Sequence, residues 1–214
     1  MRKNAMRVLI ADDHAVVRRG LTQLLAEEYP ALSVGEARDA SEVLQLARAQ
    51  DWDIIILDIS MPGRSGLEVL KELRQARPKV PVLVLTSHPE EQYALRVLKA
   101  GAGGYMTKEG APEHLIEAVR RVAAGGRYIG PKLAELLAAN VGVDAERPPH
   151  ESLSDREYLV LCLIGSGKTV GEIAAELSLS VKTVSTYRAR LLEKMGMKTN
   201  AELMIYAIKN GLVG

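Results

Sequence analysis

Ile54-Ile55-Ile56-Leu57-Asp58 is the stretch on which the fold turns. Four consecutive aliphatic residues with no polar alternation suit a strand covered on both faces, as in a parallel sheet packed between helices. Val82-Leu83-Val84-Leu85 repeats the pattern. With these two included, short apolar runs at residues 7–11, 32–37, 53–57, 80–85 and 103–106 predict five strands. Residues 15–28, 40–50, 66–76, 90–100 and 113–124 lie between and after them, with apolar side chains at helical spacing. Five successive strand–helix repeats predict an α/β domain, doubly wound about a parallel sheet, because parallel neighbours need right-handed crossovers.

Ligands of such a sheet bind beyond the carboxyl ends of its strands. Asp12 and Asp13 follow the first strand, Asp58 the third, Thr86 the fourth and Lys108 the fifth. Three carboxylates in one pocket repel unless a hard divalent cation sits among them, and oxygen donors select Mg²⁺ or Mn²⁺. A lysine and a hydroxyl add what a tetrahedral oxyanion requires. Asp58, ending an apolar strand, is the natural carboxylate nucleophile. One such aspartate could merely cap a helix; five compatible groups at four strand ends argue for a phosphoryl site.

Composition bounds the rest. The 214 residues suit two small domains better than one, and the net charge of +1 argues against a protein coated with nucleic acid. With no Phe, one Trp and seven Tyr, the cores must be aliphatic, which disfavours an aromatic-lined RNA or single-strand groove. The lone Cys162, among Leu161, Leu163 and Ile164, excludes an intrachain disulfide and reads as a small core residue. Val8-Leu9-Ile10-Ala11 stops at Asp12-Asp13, too short for a signal peptide or membrane span. The expectation is a cytoplasmic protein with no membrane partner.

The second half differs in kind. Residues 129–150 form an expected linker, partly helical, between a domain at 1–128 and one at 151–214. The last segment holds no strand pattern and predicts an all-α unit of four helices near 155–164, 170–176, 181–194 and 200–210. Ser154 with Glu157 makes a capping box, Ser180 is a further N-cap, and Gly196 and Gly211 are stops. The helices at 170–176 and 181–194 read as helix-turn-helix, packed through Ile173, Ala174, Leu177, Val181 and Val184. Within 181–198, Lys182, Arg188, Arg190, Lys194 and Lys198 face only Glu193, a local excess of positive charge hidden by the overall balance. The free face offers Lys182, Ser185, Thr186, Ala189 and Arg190, flanked by Tyr187 and Arg188: cations for phosphates, short side chains for close approach to base edges. Gly165-Ser166-Gly167-Lys168-Thr169 imitates a phosphate-binding loop, but Cys162 stands where glycine is needed and a helix precedes it.

Two sets of residues carry a family resemblance. Asp12-Asp13-His14, Ile56-Leu57-Asp58-Ile59-Ser60-Met61-Pro62-Gly63, Thr86 and Gly101-Ala102-Gly103-Gly104-Tyr105-Met106-Thr107-Lys108 resemble a response-regulator receiver domain over roughly residues 6–125. Leu153-Ser154-Asp155-Arg156-Glu157, Gly171-Glu172-Ile173-Ala174 and residues 179–187 are similar to a LuxR-type helix-turn-helix. Together they resemble the NarL/FixJ family of two-component response regulators. Residues 127–131 and 182–188 lean towards its GacA/UvrY-like branch.

The resemblance implies a five-stranded flavodoxin-like receiver followed by a four-helix LuxR-type domain. It makes Asp58 the phosphoacceptor. Asp13, Asp58 and the Ser60 backbone carbonyl become metal ligands, with Asp12 acting through water. Lys108 and Thr86 meet the phosphoryl oxygens, and Tyr105 is the aromatic that follows Thr86. Glu109 stands where many receivers carry proline. The DNA-facing set is Lys182, Thr183, Ser185, Thr186, Tyr187, Arg188, Ala189 and Arg190. Expected partners are a sensor histidine kinase, double-stranded promoter DNA and, once phosphorylated, a second copy of the chain. The chain is then not an enzyme beyond phosphorylating and dephosphorylating itself. A phosphatase using Asp58 is disfavoured, since Ser60 stands where haloacid-type enzymes place a second aspartate.

Overall fold

In the computed structural model, which describes residues 6–61, 64–88, 90–110, 112–139 and 148–213, every residue of strand β3 (Ile54–Leu57) is buried. Burial of each such side chain contributes roughly 1.5–3 kcal/mol, so this strand anchors the first core. Around it run β1 (Met6–Ala11), β2 (Leu32–Ala37), β4 (Val82–Thr86) and β5 (Gly104–Thr107), all parallel, in the order β2-β1-β3-β4-β5. The connecting helices are α1 (Ala15–Glu28), α2 (Ala40–Ala49), α3 (Gly66–Ala76) and α4 (Glu90–Lys99), with α5 (Pro112–Ala123) closing the domain.

Strand parity sorts the two faces. Val8, Ile10, Ile54, Ile56, Leu83 and Leu85 meet Leu21 and Leu25 of α1 and Leu115, Ala118, Val119 and Val122 of α5. Leu9, Ile55, Leu57 and Val84, equally buried, turn to the opposite face, where α2 packs on β1 and α4 on β5. At the β2 edge a side chain on Gly35 would sit 2.3 Å from the Trp52 ring, so glycine lets the only tryptophan approach the strand closely. That ring donates its N–H to the Leu46 carbonyl at 3.0 Å.

Helices α1 and α3 keep their predicted limits. Strand β2 also keeps its predicted limits, while the other four shift by one or two residues, because pairing rather than hydrophobicity ends them: Thr86 lies opposite Thr107, so both belong to the sheet. Among the described residues no peptide bond is cis.

The chain divides into two compact units, Met1–Ala134 and Glu135–Gly214. The division falls inside α6 (Pro131–Ala139), where Leu133 is fully buried. Residues 140–147 of the expected linker lie outside the described residues. The first described element lying wholly within the second unit is a 3₁₀ turn, Pro149–Ser152, which the sequence pattern did not signal. Then come α7 (Asp155–Gly165), α8 (Val170–Glu176), α9 (Val181–Met195) and α10 (Asn200–Lys209). α7 packs on α9 and α10. A side chain at Gly165 would meet the Ala207 methyl at 2.7 Å, so glycine sets how closely α7 and α10 approach. Ser154–Glu157 forms its capping box, and Thr169–Glu172 and Thr199–Glu202 form two more. Gly196 ends α9 in the left-handed region at φ 65°.

Candidate functional site

Register gathers the acidic residues. Ala11 pairs with Leu57, so Asp12 and Asp58, the next residue of each chain segment, leave the sheet side by side. Their main chains are fixed as well: Asp58 N–H donates to the Ala11 carbonyl at 2.8 Å and Asp12 N–H to that of Ala37 at 3.1 Å. At the far side, Lys108 N–H donates to the Thr86 carbonyl at 2.8 Å, placing the lysine one residue beyond the β4–β5 pair.

The side chains then converge. Lys108 Nζ lies 2.6 Å from Asp58 Oδ2 and 2.6 Å from Asp12 Oδ2. Both carboxylates are almost wholly buried, at 1% and 2% exposure, so the ammonium is their principal counter-charge. Burial pushes the Lys108 pKa down, but the charge and hydrogen bonds of Asp58 and Asp12 more than offset it, and the net shift is upward. Asp13 stands at the rim, with His14 Nδ1 2.9 Å from its Oδ1 and 3.3 Å from Asp12 Oδ1. Ligating atoms of Asp12, Asp13, His14 and Asp58 all lie within 4.8 Å of one another. Three carboxylates against one ammonium is a donor set that fits a divalent cation.

Asp58 Oδ1 accepts the Ser60 N–H at 2.8 Å, which folds the following loop back onto the carboxylate. Ser60 Oγ lies 3.2 Å from Thr86 Oγ1, so the expected switch hydroxyl, fully buried at the end of β4, has a hydroxyl partner beside Asp58. Tyr105, also fully buried, donates its hydroxyl to the His88 carbonyl at 2.8 Å, and His88 N–H reaches back to Thr86 Oγ1 at 3.4 Å. Thr86, His88 and Tyr105 thus form one connected path from the pocket.

One residue of this pocket was not anticipated. Arg18 of α1 is 5% exposed, donates Nη1–H to the Asp12 carbonyl at 2.7 Å and Nε–H to Glu36 at 2.7 Å. It pins the turn that presents Asp12 and Asp13. Its signal lay in the sequence, for Arg18 shares a helical stripe with Leu21 and Leu25, where a charge is out of place unless paired.

In the second unit, Ile173 and Ala174 of α8 and Val184 of α9 are buried. Val181 is not: at 57% exposure it corrects the expectation that it packs the two helices. It is the first residue of α9, where only one side of the helix has a following turn to cover it. Lys182, Ser185, Thr186, Ala189 and Arg190 form the exposed face, as expected. Thr183 is tied into the cap, its N–H on Ser180 Oγ at 3.0 Å and its hydroxyl 2.7 Å from that oxygen. Tyr187 and Arg188 are half-buried, and Arg188 donates Nε–H to Asn200 Oδ1 at the start of α10. The loop imitating a phosphate site is a helix end: Lys168 pairs with Glu176, and Thr169 caps α8.

Fold and pocket together define a receiver domain, and the capped helix pair of the second unit defines a helix-turn-helix. Residues 8–120 match the response regulator receiver domain family, and residues 151–207 match the bacterial regulatory proteins of the luxR family. The chain belongs to the NarL/FixJ family of response regulators. It is 38% identical to the response regulator GacA of Pseudomonas aeruginosa over 209 residues, covering 97% of this chain and 98% of that protein. Identity to the response regulator UvrY of Escherichia coli K12 is 35% over 208 residues, covering 97% and 95%. RcsB from Salmonella enterica serovar Typhimurium, solved bound to promoter rprA with the phosphomimetic BeF₃⁻, superposes with a TM-score of 0.62 at 30% identity, covering 94% of this chain and 98% of that one. Among the described residues no helix is long and apolar enough to cross a membrane.

Proposed function

We propose that phosphorylation of Asp58 switches the affinity of α9 for promoter DNA. The observation that carries this reading is the position of Lys108 Nζ, 2.6 Å from both Asp58 and Asp12 within a donor set that includes Asp13. A phosphoryl group entering there finds a buried nucleophile, a fixed cation and two nearby hydroxyls.

The phosphodonor is a phosphohistidine of a sensor histidine kinase. Asp58 attacks phosphorus; the O–P bond forms as the P–N bond breaks, and the electron pair leaves with the imidazole. Lys108 passes from the carboxylates to the phosphoryl oxygens. Asp12, Asp13, Asp58 and the Ser60 carbonyl would hold Mg²⁺ or Mn²⁺, which supplies counter-charge to the transferred group. Thr86 leaves Ser60 for the new dianion, and Tyr105 follows through the His88 loop. Water later releases the phosphoryl group in the same pocket, so the chemistry is self-modification rather than turnover. In the cytoplasm the phosphorylated chain pairs with a second copy, and the faces bearing Lys182, Ser185, Thr186, Ala189 and Arg190 read double-stranded DNA.

Intact-mass measurement after incubation with Mg²⁺ and a small-molecule phosphodonor tests the first step. The wild type should gain one phosphoryl group and Asp58→Ala none. Equal labelling of both would remove Asp58 from the role.

A further inference from the structure

The buried stripe of α9 runs through Val184, Leu191 and Met195, at 0%, 0% and 9% exposure. Helical spacing puts Arg188 on that same stripe, four residues after Val184 and three before Leu191. The exposed face runs instead through Lys182, Ser185, Thr186, Ala189 and Arg190. Arg188 is half-buried, and its Nε–H is given to Asn200 Oδ1, on the first residue of α10. Neither its direction nor its partner is that of a group awaiting a phosphate.

We infer that Arg188 is a positioning residue, a clamp that fixes the recognition helix α9 to the N-terminus of α10, rather than a DNA ligand. The inference rests on the DNA-reading role of α9. Asn200 is itself held, since Thr199 caps α10 and closes a capping box with Glu202. The clamp therefore joins α9 to a fixed point beyond the left-handed turn at Gly196. Arginine suits this task because its stem lines an apolar stripe while its planar head reaches a polar rim. A phosphate ligand and a clamp differ in a measurable way. Loss of a phosphate contact releases fewer counterions and flattens the salt dependence of binding; loss of a clamp misplaces the whole face and leaves that dependence alone.

The probe is a duplex enriched from a random pool by the phosphodonor-treated full chain, titrated at several salt concentrations. Arg188→Met and Asn200→Ala should each weaken binding by about tenfold with an unchanged salt slope. The double variant should be no weaker than either single one, because both remove one link. Asn200→Asp, which keeps an acceptor, should bind as the wild type does. Lys182→Met serves as the contrast and should flatten the slope by about 1. The clamp is overturned if Arg188→Met flattens the slope while Asn200→Ala binds normally, or if the two losses add. Failure of the wild type to enrich any duplex would instead overturn the DNA-reading role itself.

Discussion

Lys108 Nζ stands 2.6 Å from Asp58 Oδ2, and the same ammonium touches Asp12. This gives the lysine a structural role. Lys108→Ala leaves two buried carboxylates facing each other, a change that costs about 3–5 kcal/mol when a buried pair is broken. Denaturant unfolding should record the loss, and Mg²⁺ should restore more stability to the variant than to the wild type, since a cation replaces the missing charge. The upward pKa shift fixes the pH sense. The stabilisation is complete below the ordinary lysine value of 10.5 and is lost as pH rises through the higher folded value.

Gly66 opens α3 against the backbone that carries Asp58. A methyl group there would lie 2.3 Å from Ile59 Cα and 2.9 Å from the Asp58 carbonyl oxygen. Because both neighbours are backbone, Gly66→Ala should destabilise the receiver by about 1–3 kcal/mol and slow phosphorylation together. A thermal melt and a labelling time course check this; a variant with normal labelling would separate Gly66 from the geometry of Asp58.

Thr86→Ala removes the hydroxyl that now meets Ser60 Oγ at 3.2 Å. Asp58 and Lys108 are untouched, so labelling by a small phosphodonor should persist. The gain in duplex affinity on labelling should be lost, because nothing then links the phosphoryl group to His88 and Tyr105. Mass spectrometry and a binding titration on one sample read both halves.

In the second unit Glu157 is a buried carboxylate, 2.7 Å from Lys194 Nζ and 2.8 Å from the Ser154 N–H. Burial raises its pKa, but Lys194 and Ser154 lower it further, and the net shift is downward. A depressed folded value stabilises above the ordinary 4.5 and loses that effect as pH falls through the lower folded value. The melting temperature of Glu157→Gln, subtracted from that of the wild type, should therefore give a gap that closes on acidification through this range. A gap independent of pH would assign the effect to packing.

Much of this was legible in the sequence for identifiable reasons. The run Ile54–Leu57 announced a doubly covered strand, and helical spacing set α1 and α3 to the residue, because both signals are local. The acidic pocket was legible because parallel topology brings strand ends together whatever their separation along the chain. Arg18 escaped because its partners, the Asp12 carbonyl and Glu36, are brought to it only by the fold. Arg188 was read as a flank of the free face, though its spacing from Val184 and Leu191 also puts it on the inner stripe. The caps at Thr169 and Thr199 obey the same Ser/Thr-x-x-Glu rule as Ser154 and were visible in the sequence. Val181 shows the limit of the pattern, since periodicity cannot tell whether a first-turn side chain is covered.

Coupling of Asp58 to α9 is read directly by one titration. Fluorescence anisotropy of an enriched duplex is measured with the wild type and with Asp58→Ala, each with and without a small-molecule phosphodonor and Mg²⁺. The donor should tighten wild-type binding by about tenfold, the scale of a typical coupling free energy, and leave Asp58→Ala unchanged. Equal affinities for the two proteins, insensitive to the donor, would contradict the coupling.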